Sequence, residues 1–446
     1  MTRALIASIG LSSILSLPIH ACAQSPPLSH LAIPQLIEGD RNQVTLVNSL
    51  SPHLSNLPAE LAQGGVPDGV LPLDTIEILD ITVLRDEIIA RLESFPSIAR
   101  AEVGCGTSET PATEKETLTC IRAFVSNKGV TFENLLAFRS AITQVYIDNG
   151  YITSGAFLPS PQSLGNRLVI IQVVEGVVEQ IDVSGLRRLR EGYVRDRLVK
   201  GTAAPLNFER LQKALQLLEQ DPLIDRLDAE LISGTGTGSN ILRLQIEEED
   251  AFEAGVRVSN EQPPSLGSIE GRVFATHANL LGFGDRLGAQ YSLTEGLDNF
   301  SITYRFPWNS RDGTVSFGYF SDDSSIVEAD FEQFDITSDS QTFSLAVIQP
   351  LVKTPTREVV LGLTLDVRES QTFLFGEPFS FTLGPNDGES NVTVLRFSQD
   401  WVQRYRNQVV ALRSQFSVGL DIFDATINET GTDGRFLLGS VNFSGY

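Results

Sequence analysis

Positive charge is scarce in this sequence: 33 lysines and arginines stand against 56 aspartates and glutamates, a formal net charge of −23. A chain this acidic has little with which to neutralise phosphates, so no nucleic-acid partner is expected. Long apolar runs are scarce too. After the N-terminus no stretch offers the ~20 consecutive apolar residues of a membrane-spanning helix. Yet 41% of residues are hydrophobic, too many for a disordered chain. There are four histidines and three cysteines, with no CxxC and no histidine cluster, so no metal site is expected. His20, His30 and His53 lie in the first 53 residues, and His277 sits in a strand-like segment. None of them suggests catalysis, and neither an enzymatic activity nor a cofactor is expected.

What is present begins with an export signal at residues 1–23. Arg3 is a short positive start, Ala4 to Leu17 is apolar, and Ala21-Cys22-Ala23 supplies the small-x-small cleavage pattern. Processing as a lipoprotein at Cys22 is the alternative, and both routes take the chain out of the cytoplasm. Cys105 and Cys120 then flank a polar, Thr/Glu-rich loop. In an oxidising compartment they would form a disulfide worth roughly 3 kcal/mol, with two unpaired buried thiols as the alternative.

Residues 24–73 have linker composition, from Pro26-Pro27 to Gly64-Gly65-Val66-Pro67-Asp68-Gly69, with room for one plug helix between Val44 and Leu61. Two α+β units follow, at 74–176 and 177–250. In the first, strand Thr75–Leu84 and helix Arg85–Glu93 precede a helix capped by Thr131, with the stripe Leu135, Phe138, Ile142 and Val145. Gly150 ends that helix, and strands Tyr151–Leu158 and Arg167–Val174 complete the unit. The second repeats the order: strand Val177–Val183, helix Arg190–Lys200, a helix capped by Asn207 with the stripe Phe208, Leu211, Leu215 and Leu218, then strands Leu227–Ser233 and Asn240–Glu247. The β-α-α-β-β order thus occurs twice. Gly234 to Gly238 joins two strands and reads as a hairpin turn, not a phosphate loop. The run Glu247-Glu248-Glu249-Asp250 reads as a solvated charge run rather than a weak Ca²⁺ site.

From residue 251 to 446 the apolar pattern has period two. Phe300, Ile302, Tyr304 and Phe306 alternate with Ser301, Thr303 and Arg305, and the same holds around Leu287–Leu293, Leu361–Arg368 and Phe416–Ile422. The strands have the ~9–11 residues that cross a bilayer when tilted. Trp308, Tyr319, Phe320 and Trp401 sit where an interfacial girdle belongs. Short connections (281–285, 307–312, 350–357, 402–407) alternate with long polar ones (322–340, 369–390, 424–434), as outer-membrane barrels show. The expected fold class is α+β followed by all-β, with an antiparallel transmembrane barrel. Phe300, Ile302, Tyr304 and Phe306 would face lipid, and Gln290, Ser292, Arg305, Asp366, Arg368 and Asp421 would line a lumen.

Several stretches resemble the two-partner secretion (type Vb, hemolysin secretion/activation) transporter family, part of the outer-membrane insertase superfamily. Tyr146-Ile147-Asp148-Asn149-Gly150-Tyr151-Ile152-Thr153-Ser154 with Leu158-Pro159 is similar to the family's first polypeptide-transport-associated (POTRA) domain. Val173-Val174-Glu175-Gly176 resembles the junction into the second. Gly284-Asp285-Arg286-Leu287, Glu295-Gly296-Leu297-Asp298, Asn309-Ser310-Arg311-Asp312-Gly313, Leu395-Arg396-Phe397-Ser398-Gln399 and Leu412-Arg413-Ser414-Gln415-Phe416 resemble its barrel hairpins. The resemblance implies an outer-membrane pore with periplasmic POTRA units that captures an unfolded exoprotein and passes it to the cell surface. The implied partners are a secreted exoprotein with an N-terminal secretion domain, β-helical and adhesin- or hemolysin-like, together with outer-membrane lipid and the barrel assembly machinery. An insertase, or more remotely a small-solute porin, is the alternative. Capture would add the client as a strand at a POTRA edge, at Tyr151, Thr153, Ala156 and Leu158 or along Thr75–Leu84. The family barrel has sixteen strands, and the sequence has room for about nine or ten, so the barrel is expected to be partial.

Overall fold

The structure is a computed structural model that describes residues 69–104, 120–162, 166–385, 387–428 and 433–445. The export signal, the linker up to residue 68 and Cys105 lie outside the described residues.

The first α+β unit runs β1 (Val70–Leu71), β2 (Thr75–Leu79), α1 (Arg85–Glu93), β3 (Ile98–Val103), β4 (Ile121–Val125), β5 (Val130–Thr131), α2 (Phe132–Asp148), β6 (Gly155–Phe157) and β7 (Leu168–Val174). Its main sheet has the order β3-β4-β2-β7-β6, with β2 and β7 parallel. Thr131 starts α2 by accepting from Asn134 N–H at 3.2 Å, while the Asn134 side chain accepts from Thr131 N–H at 3.0 Å. This is a capping box that satisfies two otherwise orphaned donors. Leu135, Phe138, Ile142 and Tyr146 of α2 are fully buried on Ile76, Ile78, Ile121 and Ile171. Gly150 closes the helix at φ +83°, a conformation cheap only for glycine.

Three expectations change here. Strand β2 stops at Leu79, because Asp80 and Leu84 take positive φ, and Ile81 enters the core from a loop. The 151–158 segment yields only the three residues of β6, since Tyr151 turns to pack edge-on against Tyr146. A β3–β4 hairpin, not foreseen, is inserted between the two helices of the β-α-α-β-β unit. Strand β3 gave little signal because it is an edge strand whose Arg100 and Glu102 face solvent.

The second unit runs β8 (Val177–Ser184), α3 (Glu191–Leu198), α4 (Phe208–Glu219), β9 (Ile224–Ser233) and β10 (Ser239–Glu248), with sheet order β8-β10-β9. Asn207 caps α4 by accepting from Arg210 N–H at 3.1 Å. Leu211, Leu215 and Leu218 are buried against Leu242, Leu244 and Ile246. Phe208 is only half-buried, and its N–H donates to Gly150 O at 2.8 Å, back towards the first unit.

An antiparallel sheet follows: β11 (Phe252–Ser259), β12 (Glu270–Ala278), β13 (Arg286–Leu293), β14 (Leu297–Pro307), β15 (Thr314–Ser325), β16 (Thr337–Lys353), β17 (Arg357–Leu374), the short β18 (Glu377–Pro378), β19 (Glu389–Arg404), β20 (Val409–Leu420) and β21 (Leu437–Gly445). Successive long strands pair, and β18 only adds to β17. The register builds two unlike faces. One cross-strand row reads Leu287, Tyr304, Phe317, Leu345, Leu365, Leu395, Val418, Leu437. The adjacent row, on the other face, reads Arg286, Arg305, Ser316, Ala346, Thr364, Arg396, Ser417, Leu438. Apolar outside and polar inside is what lipid on one side and water on the other select, and strand pairing satisfies the backbone internally.

Here too the sheet differs from expectation. Strands β16, β17 and β19 have 17, 18 and 16 residues, so part of the expected 322–340 and 369–390 loops is paired strand. Ser338–Gln341 opposite Glu369–Thr372 is polar on both faces, which erases the period-two signal without weakening the backbone ladder. Phe320 lies on the polar face between Ser301 and Thr342, and Tyr319 is mid-strand on the apolar face; neither forms a girdle. Trp401 is on the apolar face towards the end of β19, and Trp308 follows β14.

Candidate functional site

Two junctions fix the two α+β units and the sheet to each other. The first is Glu175-Gly176, between β7 and β8. The Glu175 carboxylate accepts from Thr82 N–H at 2.8 Å, Val83 N–H at 3.2 Å and the Tyr146 hydroxyl at 2.8 Å, and also from the Thr82 hydroxyl. Burial, then the Glu175 charge, drives the Tyr146 hydroxyl pKa far above its ordinary value, so it remains a donor. Gly176 N–H donates to Ser154 Oγ at 2.9 Å, and a Cβ on Gly176 would lie 2.0 Å from Thr153 Oγ1. The Val-Val-Glu-Gly stretch is thus a tight joint and not a flexible linker.

The second junction docks the second α+β unit on the sheet. Glu248, at the end of β10, is 8% exposed. Its carboxylate accepts from the backbone N–H groups of Arg187, Arg188 and Leu189 at 2.7, 2.9 and 2.9 Å. Desolvation pushes its pKa up, but these three donors outweigh it and hold the carboxyl below the usual glutamate value. The expectation of a solvated acidic run therefore fails at Glu248, because the chain folds back over it. Beyond it Arg188 donates to His277 Nε2 at 2.8 Å, and Arg190 stacks on the Phe283 ring at 3.7 Å. Arg197 of α3 lies 3.4 Å over the Tyr193 ring and reaches Asp312, in the β14–β15 turn, at 2.8 Å. Lys353 pairs with the other Asp312 oxygen. Tyr193 in turn donates to Asp221 at 2.6 Å. The sequence placed His277 in a strand and Asp312 in a hairpin motif, but it marked none of these partners as a unit. The acidic Asp312 in a turn otherwise built for reversal was the available signal.

Among the expected polar-face residues, Gln290, Ser292, Arg305, Asp366 and Arg368 share one face of the sheet, and Arg396 pairs with Asp366. Asp421 falls one residue past β20 and is exposed, since the strand ends at Leu420. Phe300, Ile302, Tyr304 and Phe306 share the opposite, apolar face. Of the two expected capture edges, β2 is central, between β4 and β7, and offers none. Strand β6 is outermost, but Ala156 N–H already donates to Thr143 Oγ1 of α2 at 3.0 Å, and Ala156 and Leu158 are buried. Thr153 precedes the strand, and Tyr151 packs on Tyr146.

Cys120 is buried and disulfide-bonded. Gly104 N–H donates to Cys120 O at 2.9 Å, which brings the residue before Cys105 against it. With Cys105 as the expected partner, Cys120→Ala should cost about 3 kcal/mol. The check is the urea midpoint with and without reductant; a wild-type midpoint that reductant does not move would count against the bond.

Comparison with known proteins bears on this geometry. Residues 108–176 match the model of the ShlB-type POTRA domain, and residues 238–445 match that of the haemolysin secretion/activation protein ShlB/FhaC/HecB. The two matched segments together take in more than half of the chain. The outer membrane transporter CdiB of Dickeya dadantii (strain 3937) is 21% identical over 264 residues, 58% of this chain and 46% of that protein. The solved structure of CdiB from Escherichia coli superposes with a TM-score of 0.57 at 19% identity, covering 85% of this chain and 65% of that one. CdiB from Acinetobacter baumannii gives 0.48 at 15% identity, with the same coverage. The chain thus spans about half the length of its curated relative and just under two thirds of these structures. It carries the ShlB-type POTRA domain over residues 108–176 and the ShlB/FhaC/HecB haemolysin secretion/activation domain over residues 238–445, the latter laid on the antiparallel sheet.

Proposed function

We propose that the chain moves an unfolded exoprotein from the periplasm to the cell surface, with the POTRA units receiving it and the polar face of the sheet lining its path. The observation that carries this reading is the docking of a POTRA pair directly onto a sheet with one lipid-compatible and one polar face. The family match favours secretion over the insertion of other barrels. A small-solute porin would have no use for the docked pair. The partner is then a secreted exoprotein with an N-terminal secretion domain, β-helical in the folded state, and the barrel assembly machinery would insert the transporter. The periplasm supplies no ATP, so client folding outside would drive export.

Capture by strand addition needs an edge with free outward donors. Strand β6, with three residues and its one outward donor bonded to Thr143, offers little. Strand β9 has ten residues and, among the described residues, pairs only with β10. Gly234 N–H bonds Ser239 O across the hairpin, so by alternation the N–H groups of Leu227, Ala229 and Leu231 point outward. A proline at Ala229 removes an outward donor and no ladder bond. Ala229→Pro is expected to weaken binding of the exoprotein's secretion domain by about tenfold, and Ala156→Pro to change it less. Titration of that domain against the detergent-solubilised transporter checks this; equal affinity for wild type and Ala229→Pro would remove β9 as the capture edge.

A further inference from the structure

Two arginines on the polar face stand directly opposite each other with no ion-pair partner among the described residues. Arg286 begins β13, Arg305 lies near the end of β14, and the register sets them directly opposite each other. Both are exposed, and neither makes an ion pair or side-chain hydrogen bond among the described residues. Their same-face neighbours are all neutral: Thr276, Ala278, Gly288, Thr303, Ser316 and Gly318. Asp285, adjacent in sequence, is fully buried and turned away, accepting from Leu281 N–H at 2.9 Å and from the Tyr304 hydroxyl at 3.1 Å. Like charges directly opposite destabilise a strand pair. Elsewhere on this face Arg272 pairs with Glu270, Arg396 with Asp366 and Arg413 with Asp400, and Arg257 of β11 stands opposite the already neutralised Arg272. An uncompensated pair in a chain of charge −23 calls for an anion from outside.

The chain path fixes where that anion would be met. β11 leaves the second POTRA unit at Phe252, so Arg286 and Arg305 stand at the POTRA end of the sheet, beside the turn whose Phe283 packs under Arg190. At the opposite end residues 322–340 hold seven acidic residues and no lysine or arginine. We propose that Arg286 and Arg305 form a carboxylate-binding point at the periplasmic mouth of the conduit, engaging acidic side chains of the extended polypeptide as it leaves the POTRA units. The identity of the ligand rests on the secretion reading. Two guanidinium forks on side chains whose Cβ atoms stand about 5 Å apart suit a single carboxylate or two close ones, and Thr276, Thr303 and Ser316 add hydroxyl donors.

The test uses the full chain in detergent micelles and fluorescently labelled hexaglutamate, with hexaglutamine as the neutral probe. Wild type should bind hexaglutamate, less tightly as salt rises, and hexaglutamine at least tenfold more weakly. Arg286→Gln/Arg305→Gln should lose at least tenfold in hexaglutamate affinity, whereas Arg286→Lys/Arg305→Lys and Arg257→Gln should retain it. Arg305→Glu pairs with Arg286 and relieves the repulsion, so it should fold at least as well as wild type yet lose binding, which separates recognition from folding. Hexaglutamate binding unaffected by Arg305→Glu, or tripolyphosphate bound in preference to hexaglutamate, would overturn the proposal. Hexaglutamate needs no capture by the POTRA units, so its failure leaves the secretion reading intact. Failed exoprotein binding with hexaglutamate retained would remove the secretion reading and keep the arginine site.

Discussion

Glu248→Ala is expected to remove about 3–5 kcal/mol from the second POTRA unit, because a buried charge acceptor is lost and three backbone donors are orphaned together. The N–H groups of Arg187, Arg188 and Leu189 all converge on this carboxylate, and Leu189 is itself 4% exposed. Water cannot readily replace an acceptor there. Glu248→Gln keeps one oxygen and should cost roughly half as much. Hydrogen exchange of the amides from residue 185 to 200, under conditions where the full chain stays folded, reads the loss locally; protection lowered by less than tenfold in Glu248→Ala would contradict the assignment. The same contact predicts a pH dependence. Desolvation raises this carboxyl's pKa, but the three N–H donors lower it by more, so its folded pKa lies below the ordinary 4.5. Its contribution is therefore complete above 4.5 and is lost as pH falls through the depressed folded value. Glu248→Gln should flatten that loss.

The two POTRA units and the barrel sheet were legible because their signals are local. Thr131 and Asn207 announce helices by capping, Leu211, Leu215 and Leu218 by spacing, and the sheet strands by alternation. What could not be read depends on partners distant in sequence. Glu248 looks like one of four acidic residues in a solvated run until residues 187–189 return to it. Ala156 looks like an open edge residue until Thr143 is seen to hold its N–H. Phe320 carries an aromatic girdle signal by composition but an inward position by register, and only the pairing with Ser301 and Thr342 decides. Arg286 and Arg305 are 19 residues apart in sequence and become a pair only through the β13–β14 register. In each case the residue type was informative, and the missing quantity was a neighbour.

Asp312→Ala is expected to loosen the second POTRA unit from the sheet by about 2–4 kcal/mol, because it leaves the Arg197 guanidinium, 12% exposed, without its closest counter-charge. Arg197 would retain Asp221 at 3.8 Å and the Tyr193 ring, too little to replace a 2.8 Å ion pair. Lys353, 40% exposed, would simply turn to water, so the cost falls on the POTRA side. Arg197→Ala should be milder in combination: once Asp312 is absent, removing Arg197 takes away an unpaired charge, and the double variant should be less impaired than the sum of the single ones. Spin labels at Lys213, exposed on α4, and Gln408, exposed in the β19–β20 turn, report on the docking. Wild type should give one narrow distance distribution, Asp312→Ala a broad one, and Asp312→Asn an intermediate one. An unchanged narrow distribution in Asp312→Ala would assign the docking to Arg188–His277 and Arg190–Phe283 instead. Acid should reproduce the effect. Desolvation pushes the Asp312 pKa up, but Lys353 and Arg197 outweigh it and hold the carboxyl below its ordinary 3.8. The latch is therefore at full strength above 3.8 and opens as pH falls through the depressed value, while the Asp312→Asn distribution should not respond to pH over that window.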